Sequence, residues 1–316
     1  MTTATVGIML PRDLPAHQIV PFAQKAEQLG FDELWVVEDC FFRGGFAQAA
    51  VALASTQRIR VGIGILPAPV RNAAFTALEA NTLAEIYPDR LLLGIGHGMP
   101  MWMQQVGDKP ASILTMLDEQ LTALRTLLAG ERLEVDGRYV KIDGAQLESP
   151  AAIAPPILAG VRGPKSLAVS GRSADGTILA EPVTPEYLTA ALGHIDASGP
   201  HSVVAYNVAS VDDDPSVARE LARPALEWIG EPDWAPHIAP LPFAAEFAAL
   251  RERSATRADF MAALPDEWVD ALALTGTPDR VRDRIAELHA SGATSVVFIP
   301  AGTDPLSRLD SLARAL

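Results

Sequence analysis

The residues best suited to chemistry fall in short loops that follow apolar runs. Gly96-His97-Gly98 follows Arg90 to Ile95, and Val161-Arg162-Gly163-Pro164 follows Pro156 to Gly160. Glycine-rich exits let backbone amides approach a phosphate, and Pro164 opens a helical pattern whose N-terminus adds a positive dipole end. Glu38-Asp39-Cys40-Phe41-Phe42, Glu181-Pro182 and Tyr206-Asn207 follow other runs. His97, set in a glycine turn, is either the leading proton carrier or a neutral hydrogen-bonding partner of a cofactor. Glu38 and Tyr206 are further candidates, although Glu38 has the alternative of pairing with Arg60 or Arg71. These loops contain no cluster of metal ligands, no nucleophile elbow and no G-x-x-x-x-G-K-[ST] loop. A face short of acid, base and metal points to an organic cofactor that performs the reaction.

The elements that must position these loops alternate strand and helix. Expected strands run Thr5 to Leu10, Asp32 to Val37, Val61 to Leu66, Arg90 to Ile95, Pro156 to Gly160, Gly176 to Ala180, Ser202 to Val211 and Thr294 to Pro300. Helical patterns follow most of them, as over His17 to Leu29 ended by Gly30, and over Phe75 to Ile86, where Phe75, Leu78, Ala80, Leu83 and Ile86 make one apolar face. Leu133 to Leu147 reads as a small hairpin. Eight such units predict an α/β fold, a parallel (β/α)8 TIM barrel formed as a single domain over residues 1–316. The rival, an open doubly wound sheet, would carry GxGxxG in its first turn, where this chain has Leu10-Pro11-Arg12-Asp13. Residues 212–275 break the rhythm after the seventh strand. They are expected as a helical insertion, either a lid or interface element over the catalytic face or an elaborated outer helix. On this fold the strand C-termini carry the chemistry.

The chain has 316 residues, 49% of them hydrophobic, with 23 glycines and 25 prolines, and a net charge of −14. That charge argues against nucleic acid or an anionic membrane as partner. The lone Cys40 excludes an intrachain disulfide framework and suits a reducing cytoplasm. Met1 to Ala4 lead into an apolar run without a basic segment, so no signal peptide is expected, and no apolar run is long enough to span a membrane.

Phe31 to Phe42, Arg60 to Asn72, Pro88 to Gly98, Ala159 to Leu167 and Gly276 to Pro300, taken in order and spacing, resemble the bacterial luciferase-like superfamily, in particular its coenzyme F420 (deazaflavin)-dependent oxidoreductases. The resemblance implies a barrel with the deazaflavin ring at the strand C-termini and the substrate stacked on it. It implies a non-prolyl cis peptide at Gly64-Ile65 backing the ring. It implies cofactor contacts at Gly96, His97, Gly98, Val161, Arg162, Gly163 and Pro164, and an acidic residue bordering the cofactor, and counted with the catalytic residues, at Asp39. In the family's sugar-phosphate dehydrogenases a catalytic His and a Glu stand where this chain has Cys40 and Met99, and a lysine is expected after the sixth strand, where it has Glu181 to Thr184. The substrate pocket is therefore expected to be rather apolar, lined by Pro11, Cys40, Phe41, Met99, Trp102, Glu181 and Tyr206. Arg12, Arg71, Arg162, Lys165 and Arg172 are candidates to line the exit of an anionic deazaflavin tail. The expected activity is hydride transfer between F420 and an uncharged, partly apolar substrate, small-molecule or peptidic, reducing an activated C=C or C=N bond. The alternatives are an FMN-dependent monooxygenase and a non-catalytic flavin-binding relative. A homodimer through the Phe75 to Ile86 helix is compatible with the pattern.

Overall fold

Runs rich in Val, Ile and Leu, each cut off by Gly, Pro or a capping residue, form the strands. The computed structural model describes residues 4–316, so Met1, Thr2 and Thr3 of the leader reading lie outside the described residues. The strands are β1 (Thr5–Met9), β2 (Glu33–Val36), β3 (Arg60–Pro67), β4 (Leu91–Gly96), β5 (Leu133–Asp136), β6 (Lys141–Ala145), β7 (Ile157–Gly160), β8 (Gly176–Leu179), β9 (Ser202–Val211), β10 (Leu274–Gly276) and β11 (Ser295–Pro300). Parallel pairing runs β1-β2-β3-β4-β7-β8-β9-β11 and returns to β1, closing an eight-stranded barrel. β5 and β6 form the separate antiparallel hairpin. β10 extends the far end of β9 as an extra parallel strand.

Alternate residues of each strand serve two layers. In β9, Ala205 and Ala209 join the large core between strands and helices, whereas Val204 and Tyr206 join Trp35, Leu92, Leu158, Ile178 and Val297 in the barrel interior. The upper edge of that interior is Met9, Ile65 and Ile299, which are only partly buried. They form the apolar surface of the C-terminal mouth.

Side-chain caps start half of the α-helices. Asn72 accepts from the Ala74 and Phe75 amides, Thr184 from Tyr187 and Thr277 from Arg280. Gly30, at φ 96°, ends the first helix as its sequence suggested. The helix Ala73–Ile86 corrects the expected stripe: Ala73, Ala77, Ala80, Leu83 and Ala84 face the barrel. Phe75, Leu78 and Ile86 are 69%, 51% and 60% exposed. Small residues let this helix sit close to its strands, and its large ones turn outward. A final helix, Pro305–Ala313, capped by Asp304, was not anticipated.

Residues 212–275 do two things. Helices Pro215–Ala222 and Asp266–Leu272 pack beside β9 and β10 as outer layer. The Glu231 to Pro242 piece turns back to the ends of β7 and β8, and the whole insertion closes a second core around Leu226, Ile238, Phe247 and Phe260. Among the described residues no helix is long and apolar enough to cross a membrane.

Candidate active site

The β3 exit forms the centre of the mouth. Pairing with β4 slips between Ile63 and Leu66, making a bulge, and the Gly64–Ile65 peptide within it is cis, where the resemblance placed one. Gly64 and Ile65 both keep some exposure, above the floor of Met9 and Ile299. A Cβ at Gly64 would lie 2.0 Å from the Tyr206 hydroxyl, so only glycine lets the strand pass there.

Two glycine turns flank this bulge and are tied together. His97, from the β4 exit, bonds through Nε2 to the Ser166 hydroxyl at 3.0 Å. Ser166 lies in the first turn of helix Pro164–Ser173, whose N-cap, Gly163, offers no side-chain cap. Its first amides therefore remain available, and a Cβ at Gly163 would meet nothing within 4 Å. Burial pushes the His97 pKa down to about 4. The Ile113 backbone favours the charged ring, but Nδ1 meets no partner in hydrogen-bond geometry. His97 is a neutral, half-buried ring whose Nδ1 is buried and without a partner among the described residues.

The acids after β2 are committed. Glu38 accepts from the Gly45 amide at 2.6 Å and from Arg71 Nε at 3.0 Å, with Arg71 Nη2 also in contact. This satisfied ion pair removes Glu38 from the acid–base candidates and selects Arg71 over Arg60 as its partner. Asp39 pairs with Arg12 at 2.9 Å on the rim. Burial, then Glu38 and Asp39, push the Cys40 thiol up, leaving it a neutral wall residue.

The remaining expected residues are spread around the mouth. Pro11, Met99 and Trp102 are half-buried there, but Phe41 is 69% exposed and turned toward solvent. Tyr206 does not line a pocket: it is buried beneath the bulge, edge-on to Trp35 at 5.6 Å, with its hydroxyl unpartnered. Of the basic residues considered for a tail, Arg12, Arg71 and Arg172 are paired with Asp39, Glu38 and Asp118. Arg162 donates to the Asp233 carbonyl at 3.3 Å and stacks 4.8 Å over Trp234. Lys165 is exposed beside them.

Glu181, from the β8 exit, keeps some solvent contact although protein crowds it on nearly every side. Burial, opposed by its own backbone amide and by Arg162, raises its pKa. Sequence reasoning missed the residues that hold this corner. Trp234 Nε1 donates to the Glu181 carbonyl at 3.0 Å, and His237 Nδ1 meets the Pro182 carbonyl at 3.1 Å. The tryptophan and prolines of Glu231 to Pro242 were the available signal. Among the described residues, no group of three His, Cys, Asp or Glu side chains is arranged to hold a metal.

The arrangement suits a flat cofactor with an anionic tail: an apolar bulge for a ring, free amides at a helix start, and a buried unpartnered imidazole nitrogen between them. The model of the luciferase-like monooxygenase family matches residues 1–295. The chain is 31% identical over 307 residues to a 5,10-methylenetetrahydromethanopterin reductase of Methanolobus tindarius, covering 93% of each chain. To the enzyme of the same name from Archaeoglobus fulgidus it is 30% identical, covering 94% of each. Its fold matches the coenzyme F420-dependent tetrahydromethanopterin reductase of Methanopyrus kandleri with a TM-score of 0.84 at 23% identity, over 99% of this chain and 98% of that one. Motif order, barrel and full-length similarity agree: the chain belongs to the luciferase-like monooxygenase family.

Proposed function

We propose that the chain is an F420-dependent oxidoreductase that reduces an activated C=N or C=C bond of a small, partly apolar organic substrate. The observation that carries this reading is the half-exposed bulge at Gly64 and Ile65, set over an apolar floor and beside the uncapped helix start at Gly163. F420, when bound, supplies a hydride and does not activate oxygen. Ile65 and Gly64 back the ring. The helix amides after Gly163, with Arg162 and Lys165, hold its anionic tail, and His97 offers Nδ1 to it. Cys40, Met99, Trp102 and Pro11 border the substrate.

The full-length relatives named as 5,10-methylenetetrahydromethanopterin reductases favour a one-carbon unit held by nitrogen, hence C=N over C=C. A sugar phosphate is disfavoured, because Glu181 to Thr184 supply no lysine to hold it. The lone cysteine supports a cytoplasmic setting.

Fluorescence titration of the purified protein with oxidised F420 and, separately, with FMN tests the reading. Micromolar or tighter binding of F420 with none of FMN supports it. Preference for FMN would overturn it in favour of oxygen-dependent chemistry.

A further inference from the structure

We propose that Glu181 is the acid of this site, delivering a proton to the substrate as hydride arrives, and that Trp234 and His237 position it. The inference rests on the F420 reading above.

The other two carboxylates of the strand exits described above are taken, Glu38 by Arg71 and Asp39 by Arg12. Among the described residues, the Glu181 carboxylate makes no hydrogen bond or ion pair with another residue, its own backbone amide apart. The ionisable groups around it come from three strand exits, Arg12 after β1, Asp39 after β2 and Arg162 after β7, and from within β9, Tyr206. Arg162 is turned onto Trp234 and Asp233 rather than onto the acid. The backbone beneath Glu181 is fixed from both sides. Trp234 holds the carbonyl of Glu181 and His237 that of Pro182, while Asn207 brackets Val183 by bonds of 2.9 and 3.0 Å. The carboxyl is thus carried on a rigid segment, keeps some exposure at the strand mouth and has no partner of its own among the described residues.

The rival proton carriers are disqualified by place. His97 is neutral and bonded to Ser166, and the Tyr206 hydroxyl lies below the bulge against Gly64. Burial favours the protonated form of Glu181, the form an acid needs at neutral pH.

Reduction of C=N places a hydride, with its two electrons, on carbon, and the displaced π pair moves to nitrogen. Nitrogen then takes the Glu181 proton: the carboxyl O–H breaks and an N–H forms. The hydride comes from a reduced deazaflavin, which is oxidised by two electrons. The carboxylate left behind, eased only at a distance by the charges of Arg162 and Arg12, regains a proton from solvent, to which Glu181 keeps partial exposure.

Infrared pH titration of the protein, first alone and then with oxidised F420, tests the acid directly. A protonated-carboxyl band at pH 7 in the wild type, missing in Glu181→Gln, is expected. If no band is lost in that variant, Glu181 is ionised and the proposal is overturned. With reduced F420 and 2-methyl-1-pyrroline as probe imine, Glu181→Gln should lose about 100-fold or more in kcat while F420 binding stays. Glu181→Asp should recover part of that rate. Wild-type kcat should fall as pH rises through the infrared titration, and Trp234→Phe should shift both curves together. A Glu181→Gln variant with wild-type turnover would also overturn the proposal. Failure of the wild type to bind F420 would sink the F420 reading alone, since the carboxyl band needs no cofactor to be seen.

Discussion

Gly64 and Tyr206 meet under the bulge, and each constrains the other. Among the described residues the Tyr206 hydroxyl has no partner, and it is pushed well above its ordinary pKa by burial, then by Glu33 and Glu181, so it stays protonated. An unpartnered buried hydroxyl costs stability. Tyr206→Phe is therefore expected to stabilise the protein by about 1 kcal/mol in urea unfolding. Gly64→Ala should weaken F420 binding sharply, because its Cβ would collide with the hydroxyl at 2.0 Å. Adding Tyr206→Phe should restore only part, since the tyrosine ring carbon Cζ also lies at 3.1 Å. Retained wild-type affinity in Gly64→Ala would show that the bulge does not carry the ring.

At the scale of elements, the insertion is a clamp on the ends of β7 and β8. His237 is fully buried, tilted against Tyr187 with ring centres 4.1 Å apart, and held by burial at a pKa of about 3. Folded His237 and His97 are neutral, whereas in the unfolded chain both titrate near 6.5. Below that value the unfolded chain binds more protons, so stability falls as pH drops. The loss should run from 6.5 to about 4 through His97 and on to about 3 through His237. Each histidine contributes up to about 1.4 kcal/mol per pH unit. His237→Gln keeps a donor for the Pro182 carbonyl and should flatten the decline between pH 6 and pH 4, read by urea midpoints about a unit apart. An unchanged slope would mean that the buried ring does not govern acid stability.

For the whole molecule, the outward side chains of helix Ala73–Ile86 matter most. Phe75, Leu78 and Ile86, with Val51 on the neighbouring helix, leave a large apolar face in a chain of net charge −14. Such patches mark interfaces. We expect a second copy of the chain to cover it. Light scattering should read twice the chain mass, and Phe75→Glu with Leu78→Glu should give a folded monomer by circular dichroism. A wild-type monomer at micromolar concentration would refute this.

The sequence by itself determined the barrel, because strand and helix periods and turn residues are local properties repeated eight times. It also located the mouth, since glycine exits from apolar strands are visible in order, and with the family resemblance it placed the bulge at Gly64 and Ile65. It named Glu38 as a proton-carrier candidate and Glu181 only as a pocket residue, two acids in similar strand exits. Their difference lies in Arg71, which reaches one across 33 positions of chain, and in the absence, among the described residues, of any such partner for the other. Likewise the helical period of Ala73–Ile86 was legible, but its inward face was not: small size, judged against the neighbouring strands, decided it. The clamp formed by Trp234 and His237 belongs to the tertiary structure alone, because it joins positions 53 and 55 residues apart that no local pattern connects.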